Sequence, residues 1–213
     1  MIDSEVLEIT ARSITISGLA TIFASSWSIP FAYILATRCK SELVISIIEA
    51  IVGIPTVLVG LLLYFLFSSS GPLGFLHMLY TPQAIVVGEA VLITPLIVST
   101  SYRVLKNVVD TYGELALSLG ASERQAMLLA LRESLPGILA STIMGFSRAI
   151  GELGVALIVG GNIRGYTRVL TTAIALEVSK GEFEKAVALG TILVSIATTI
   201  SIVLKVLKRL STQ

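Results

Sequence analysis

Charge is scarce in this chain. Of its 213 residues, 14% are charged, against about 25% in ordinary soluble domains, while 54% are hydrophobic and the mean hydropathy is +0.92. A soluble globule of that composition could not cover its surface with polar groups. The scarcity is also segregated: no Asp, Glu, Lys or Arg lies between Ser13 and Thr37, and only Glu49 and Glu89 lie between Leu43 and Tyr102. Cysteine and histidine are rarer still. A single Cys, Cys39, excludes an internal disulfide, and a single His, His77, beside it leaves no zinc-binding set. A net charge of +1 excludes nucleic-acid binding as a main task, because that task needs a concentrated basic face. No Gly-Lys dipeptide occurs, so the chain holds no Walker A phosphate loop. Met1 to Thr10 carries Asp3, Glu5 and Glu8 without a basic residue, where a signal peptide would start positive. The first apolar segment is therefore expected to be retained, and no sensor domain is expected after Gln213.

What is present is length in apolar runs. A spanning helix needs about 20 mainly apolar residues, and such runs cover Ser13 to Thr37, Leu43 to Phe67, Pro82 to Leu105, Leu135 to Val159 and Ala186 to Leu207. The chain reads as an all-α integral membrane protein of five transmembrane helices, a single domain over residues 1–213. Pro30, Pro55 and Pro95 fall inside spans, as kinks around a cavity or as ordinary packed kinks. With the N-terminus outside, the inner segments hold Arg38, Lys40, Arg103, Lys106, Arg124, Arg132, Lys205, Lys208 and Arg209, and the outer ones Arg12, Arg164, Arg168, Lys180 and Lys185. Nine against five favours N-out and C-in. Cys39 and Lys40 then sit inside.

A long inner loop, about residues 106–134, follows from this arrangement. Its stretch Glu114 to Leu131 is apolar enough to suggest a span, yet Ser118, Ser122, Glu123, Arg124 and Gln125 occupy its centre. Burying Glu123 and Arg124 in lipid would cost about 2.5 to 3.5 kcal/mol each. Two short amphipathic helices meeting at Gly120 are predicted instead, since glycine permits the turn. They either lie on the headgroups or dock a cytoplasmic partner.

Here the residues resemble a known pattern. Glu114, Leu115, Ala116, three residues and Gly120, followed by Leu135-Pro136, resemble the cytoplasmic signature of ABC importer permeases, with Leu115 where the first Ala of that signature stands. The run Arg148-Ala-Ile-Gly-Glu-Leu-Gly154, then Ile158 to Ile163, Tyr166-Thr-Arg168 and Thr171 to Phe183, is similar to the tungstate branch of the molybdate and tungstate importer permeases. The resemblance runs from about Thr111 to Phe183.

It implies a type I ABC importer permease fold with a cytoplasmic coupling helix, in the plasma membrane of a prokaryote. It also implies a homodimer, two ATP-hydrolysing subunits on separate chains, and an extracytoplasmic tungstate- or molybdate-binding protein that delivers the oxyanion. The chain itself would be a transport subunit without a cofactor, not an enzyme. Glu114, Ala116, Gly120 and Ala121 would form the ATPase-coupling element. Asn162, Arg164 and Arg168 would belong to an outer cap, Gly160 to Phe183, that docks the binding protein; its alternative is a solvated loop held by local pairs.

Arg148 and Glu152, placed near the middle of span four, are one helical turn apart, so an ion pair would offset the desolvation of each. Arg148 either offers its charge to a passing dianion or only fixes packing. Glu49 and Glu89 argue against a simple anion-attracting tunnel and predict weak substrate binding in the pore. Gly137, Gly145, Gly151 and Gly154 allow close helix approach in span four. His77 reads as a solvated loop residue. The rival readings are an ion-coupled secondary carrier with Glu49, Glu89 and Glu152 as a proton relay, and an ABC permease for another oxyanion such as sulfate.

Overall fold

A computed structural model describes residues 4–38 and 42–210, and their side chains apart from those of Glu114 and residues 203–210. Cys39 and Lys40, assigned above to the first inner loop, lie outside the described residues. Among those residues the chain is helical, without strands.

Helix α1, Ser4–Thr37, is 34 residues long, about 50 Å at 1.5 Å per residue, and so outruns a hydrocarbon layer of about 30 Å. It begins nine residues before the predicted span, so that Glu5, Glu8 and Arg12 ride on a helical extension. Its buried face is spaced by threes and fours and made largely of small residues, Ser13, Ser17, Ala20, Thr21, Ala24, Ser28 and Ala32. That face lets α1 approach the central helix α4, Pro82–Val108, closely. Thr81 caps α4, its hydroxyl accepting the Ala84 N–H at 3.3 Å.

The second predicted span is not one helix. It is a pair, α2 Glu42–Val52 and α3 Thr56–Phe67, bent by 91° at Gly53-Ile54-Pro55. Pro55 has no N–H to donate and its ring collides with the carbonyl of the preceding turn; with Gly53 two residues earlier, nothing resists the break. Pro30 and Pro95 lie inside the unbroken helices α1 and α4. Four long apolar helices, α1, α4, α6 and α9, and this bent pair give the five spans.

After α4 the chain makes a π-helical turn, Val109–Gly113, and a short helix α5, Glu114–Ser118. The next element differs from the predicted second short helix. Ser122 and Gln125 form a reciprocal capping box, and the helix it opens, α6 Glu123–Ile150, runs through Pro136 into the membrane. No stop signal stands between Ser122 and Leu135, and the charged Arg132 and Glu133 mark the span's edge without breaking the helix.

Span four also ends earlier than predicted. Helix α6 stops at Ile150, Gly151 to Leu153 form a link, and α7, Gly154–Gly160, resumes. Residues 161–169 lead to α8, Leu170–Ser179, and then to α9, Phe183–Leu210. Glycines set the spacing around this break. A Cβ at Gly154 would stand 2.7 Å from Thr56 Oγ1, one at Gly60 would stand 3.2 Å from Val155 Cα, and one at Gly145 would stand 2.7 Å from Ile97 Cδ1. Gly137 packs against Val104, whereas a Cβ at Gly151 would meet only backbone of its own turn. The core between α1, α3, α4 and α7 is filled by Ile85, Ile93, Ile97, Val155 and Val159, all fully buried.

Candidate functional site

The turn after α4 and the cluster around Asn162, Arg164 and Arg168 fall at opposite ends of the bundle. Helix α4, about 40 Å long, separates them: the coupling turn leaves its C-terminal end, while Tyr80, just before its start, donates its N–H to Val159 O at 2.8 Å near the end of α7.

At the coupling end, α5 closes by backbone geometry alone. The Gly120 N–H bonds Leu117 O at 3.0 Å and the Ala121 N–H bonds Ala116 O at 3.0 Å, the two crossed bonds of a Schellman turn. Gly120 has φ +87, a conformation that a side chain would strain. Leu115, Leu117 and Leu119 are 55%, 48% and 79% exposed. They leave an apolar knob at a place where burial would need a partner. Ala116 and Ala121 lie half-buried at the turn's base.

Between the two ends, where Gly145 packs on Ile97 and Val155 on Gly88 near the middle of α4, Arg148 and Glu152 do pair, with Arg148 Nη1 2.7 Å from Glu152 Oε2. The pair stands at the break in span four, since α6 stops two residues after Arg148 and α7 resumes at Gly154. Glu152 is 3% exposed and does more than bind Arg148. Its Oε1 accepts the Val155 N–H at 3.2 Å, and its backbone carbonyl accepts the Thr171 hydroxyl at 2.8 Å. The carboxylate thus holds the break between α6 and α7. Among the described residues Nε and Nη2 of Arg148 make no hydrogen bond, and its side chain is 40% exposed.

The carboxylate balance also changes. Glu49 is not a lone charge, since Arg103 Nε and Nη2 grip its Oε1 at 3.1 and 2.7 Å. Glu89 is buried on α4 beside Ser17, and its Oε2 has no hydrogen-bond partner among the described residues. No group of His, Cys, Asp and Glu there could hold a metal. His77 is exposed in the loop after the short turn Gly74–Leu76.

The segment 161–169 is tied down by residues that spacing could not reveal. Glu5 Oε1 accepts Arg164 Nε at 2.9 Å and Arg168 Nη1 at 3.3 Å. Arg168 Nε also reaches Asn162 Oδ1 at 3.2 Å. Arg12 donates to the carbonyls of Arg168 and Gly165 at 3.0 and 2.9 Å. Thr167 folds the segment on itself, donating to Gly160 O at 2.6 Å and accepting the Ile163 N–H at 2.9 Å. Asn162, Arg164 and Arg168 therefore form one cluster with the start of α1, across more than 150 residues of sequence.

A helical membrane chain with an exposed coupling turn at one end and a clamped cap at the other has the organisation of a transporter subunit. A family model described as "binding-protein-dependent transport system inner membrane component" matches residues 15–213. The chain belongs to this family, and its fold is that of a type I ABC importer permease. It is 38% identical over 205 residues to the tungstate uptake system permease protein TupB of Peptoclostridium acidaminophilum, covering 95% of this chain and 90% of that protein. It is 35% identical to a probable anion ABC transporter permease of Haloferax volcanii, covering 89% and 85%. It is 36% identical to the TupB of Campylobacter jejuni, covering 76% and 68%.

Proposed function

We propose that this chain is the permease of an ATP-driven importer for tungstate, with molybdate as the second oxyanion of the same shape and charge. The similarity to tungstate permeases over nearly the whole chain is the observation that carries this reading. We take residues 1–213 as one permease domain, working as a homodimer with two ATP-hydrolysing subunits and an extracytoplasmic binding protein.

Glu114, Ala116, Gly120 and Ala121 form the element that an ATPase subunit grips, and the apolar knob of Leu115, Leu117 and Leu119 supplies the surface buried there. The turn is joined to both α4 and α6, so a push on it moves two spanning helices together. Arg164 and Arg168, held by Glu5, and Asn162, held by Arg168, present the cap to the binding protein. Arg148 offers its unused guanidinium donors to the dianion as it leaves that protein, while Glu152 keeps the arginine in place. Charge-assisted bonds of this kind contribute about 1.5 to 3 kcal/mol each, enough to guide a dianion through without trapping it.

The test is uptake of radiolabelled tungstate into vesicles holding the permease, the ATPase subunit and the binding protein. ATP-dependent uptake that excess molybdate suppresses and excess sulfate spares is the expected result. Uptake that ignores ATP and collapses with a protonophore would instead support a secondary carrier. Orientation is checked separately through the only thiol. With the N-terminus outside, an impermeant maleimide should label Cys39 in inverted vesicles and leave it unlabelled in intact cells.

A further inference from the structure

Two buried hydroxyls join the cap to the break in span four. Thr167 Oγ1 donates to the carbonyl of Gly160, the last residue of α7, at 2.6 Å, and Thr171 Oγ1 donates to the carbonyl of Glu152, two residues before its first, at 2.8 Å. The short rod α7 is thus held at both ends. The start of α8 leaves Thr171 free for this bond, because Thr172 Oγ1 accepts the Val169 N–H at 3.0 Å and Ser13 Oγ of α1 accepts the Leu170 N–H at 2.8 Å. Ser13 stands on the same helix as Glu5 and Arg12, which hold Arg164, Arg168 and the carbonyl of Gly165. Cap and α8 start are therefore fastened to one helix and shift together. The Glu152 carbonyl lies just past the end of α6, where the helix leaves its last carbonyls without intrahelical partners. Its side chain holds Arg148.

We propose that Thr171 is the positioning residue through which a binding protein docked on the cap sets Arg148 for the oxyanion. This rests on the reading of Asn162, Arg164 and Arg168 as the docking face and of Arg148 as the side chain that the anion meets. Docking shifts the cap together with the start of α8. The Thr171 hydroxyl carries that shift to the Glu152 backbone, and the Glu152 carboxylate carries it to the guanidinium. Thr171 is only 8% exposed, so it acts as a link and not as part of the docking face. Without its hydroxyl the buried Glu152 carbonyl loses its donor, and the start of α8 can move while Glu152 stays. Thr167 would still hold the far end of α7, so the coupling should fall without vanishing.

ATP hydrolysis by the permease–ATPase complex in lipid vesicles, normalised to permease and titrated with tungstate-loaded binding protein, tests this. Thr171→Val keeps the branched shape without the donor, and Thr171→Ser keeps the donor without the methyl group. In the Val variant the maximal stimulation should fall by at least about fivefold, the lower end of ordinary coupling between sites. The concentration giving half of that stimulation should stay at the wild-type value, because the docking face is untouched. The Ser variant should keep most of the stimulation. If the effect passes through Arg148, Thr171→Val should add nothing to Arg148→Ala. Wild-type stimulation in the Val variant, equal impairment of Val and Ser, a raised half-saturating concentration at unchanged maximum, or losses that multiply in the double variant would each overturn the assignment. A wild-type complex that loaded binding protein does not stimulate would overturn the importer reading along with it, whereas a stimulated wild type and an equally stimulated Val variant would remove this link alone.

Discussion

Leucine in place of Gly120 should leave the permease in the membrane while the ATPase no longer drives it. The backbone there has φ +87, which costs an L-residue about 1 to 2 kcal/mol. A Cβ at this position would meet nothing within 4 Å, so crowding within the chain contributes nothing. The whole effect comes from conformation, and it shifts the turn away from its docked shape by about 5- to 30-fold. ATP-driven uptake and co-purification of the ATPase subunit should both fall by at least about fivefold. Gly120→Asn separates this cause from loss of a small residue, because Asn tolerates the left-handed region and should keep most of the coupling. Glu114→Lys reverses the charge at the first residue of α5 and should uncouple without needing any strain. If the Leu and Lys variants transport and co-purify like the wild type, the turn is an interfacial element and the ATPase docks elsewhere.

The ends of this turn were readable in sequence because both are local. A glycine two residues before a Ser-x-x-Gln pair specifies a helix stop followed by a helix start, whatever surrounds them. The same local logic failed at the prolines. Pro30, Pro55, Pro95 and Pro136 are chemically alike, yet only Pro55 breaks its helix. The difference lies in Gly53 and in the packing of α3 on α7 through Gly60 and Gly154, contacts that rewarded a right-angle bend and that no window along the chain could show.

Electrostatics divided in the same way. Arg148 with Glu152 is a four-residue spacing and was legible. Glu49 with Arg103 and Glu5 with Arg164 are 54 and 159 residues apart, and their pairing depends on how α1, α2 and the cap meet α4. Counting carboxylates in the spans therefore overstated the repulsion that a dianion would meet. The second task of Glu152, holding the Val155 N–H, was hidden because span four read as unbroken.

That second task makes the Arg148 pair the most informative place to cut. Arg148→Ala alone should lower the amount of permease in the membrane, since it strands a buried carboxylate, a loss of about 3 to 5 kcal/mol. Adding Glu152→Ala removes the stranded charge, so the amount should recover in large part, short of complete because Val155 loses its acceptor. Uptake distinguishes the two roles of the arginine. If Arg148 only fixes packing, the double variant should transport in proportion to the protein recovered. If its guanidinium meets the oxyanion, uptake per molecule stays low, by about 10- to 100-fold for the loss of charge-assisted bonds. The second result is the expected one, because the donors Nε and Nη2 are unused among the described residues and the side chain is 40% exposed. Tungstate uptake normalised to permease, with the ATPase and binding protein present, reads the difference. Wild-type uptake per molecule in the double variant would remove Arg148 from the path of the anion and leave it as the partner of Glu152.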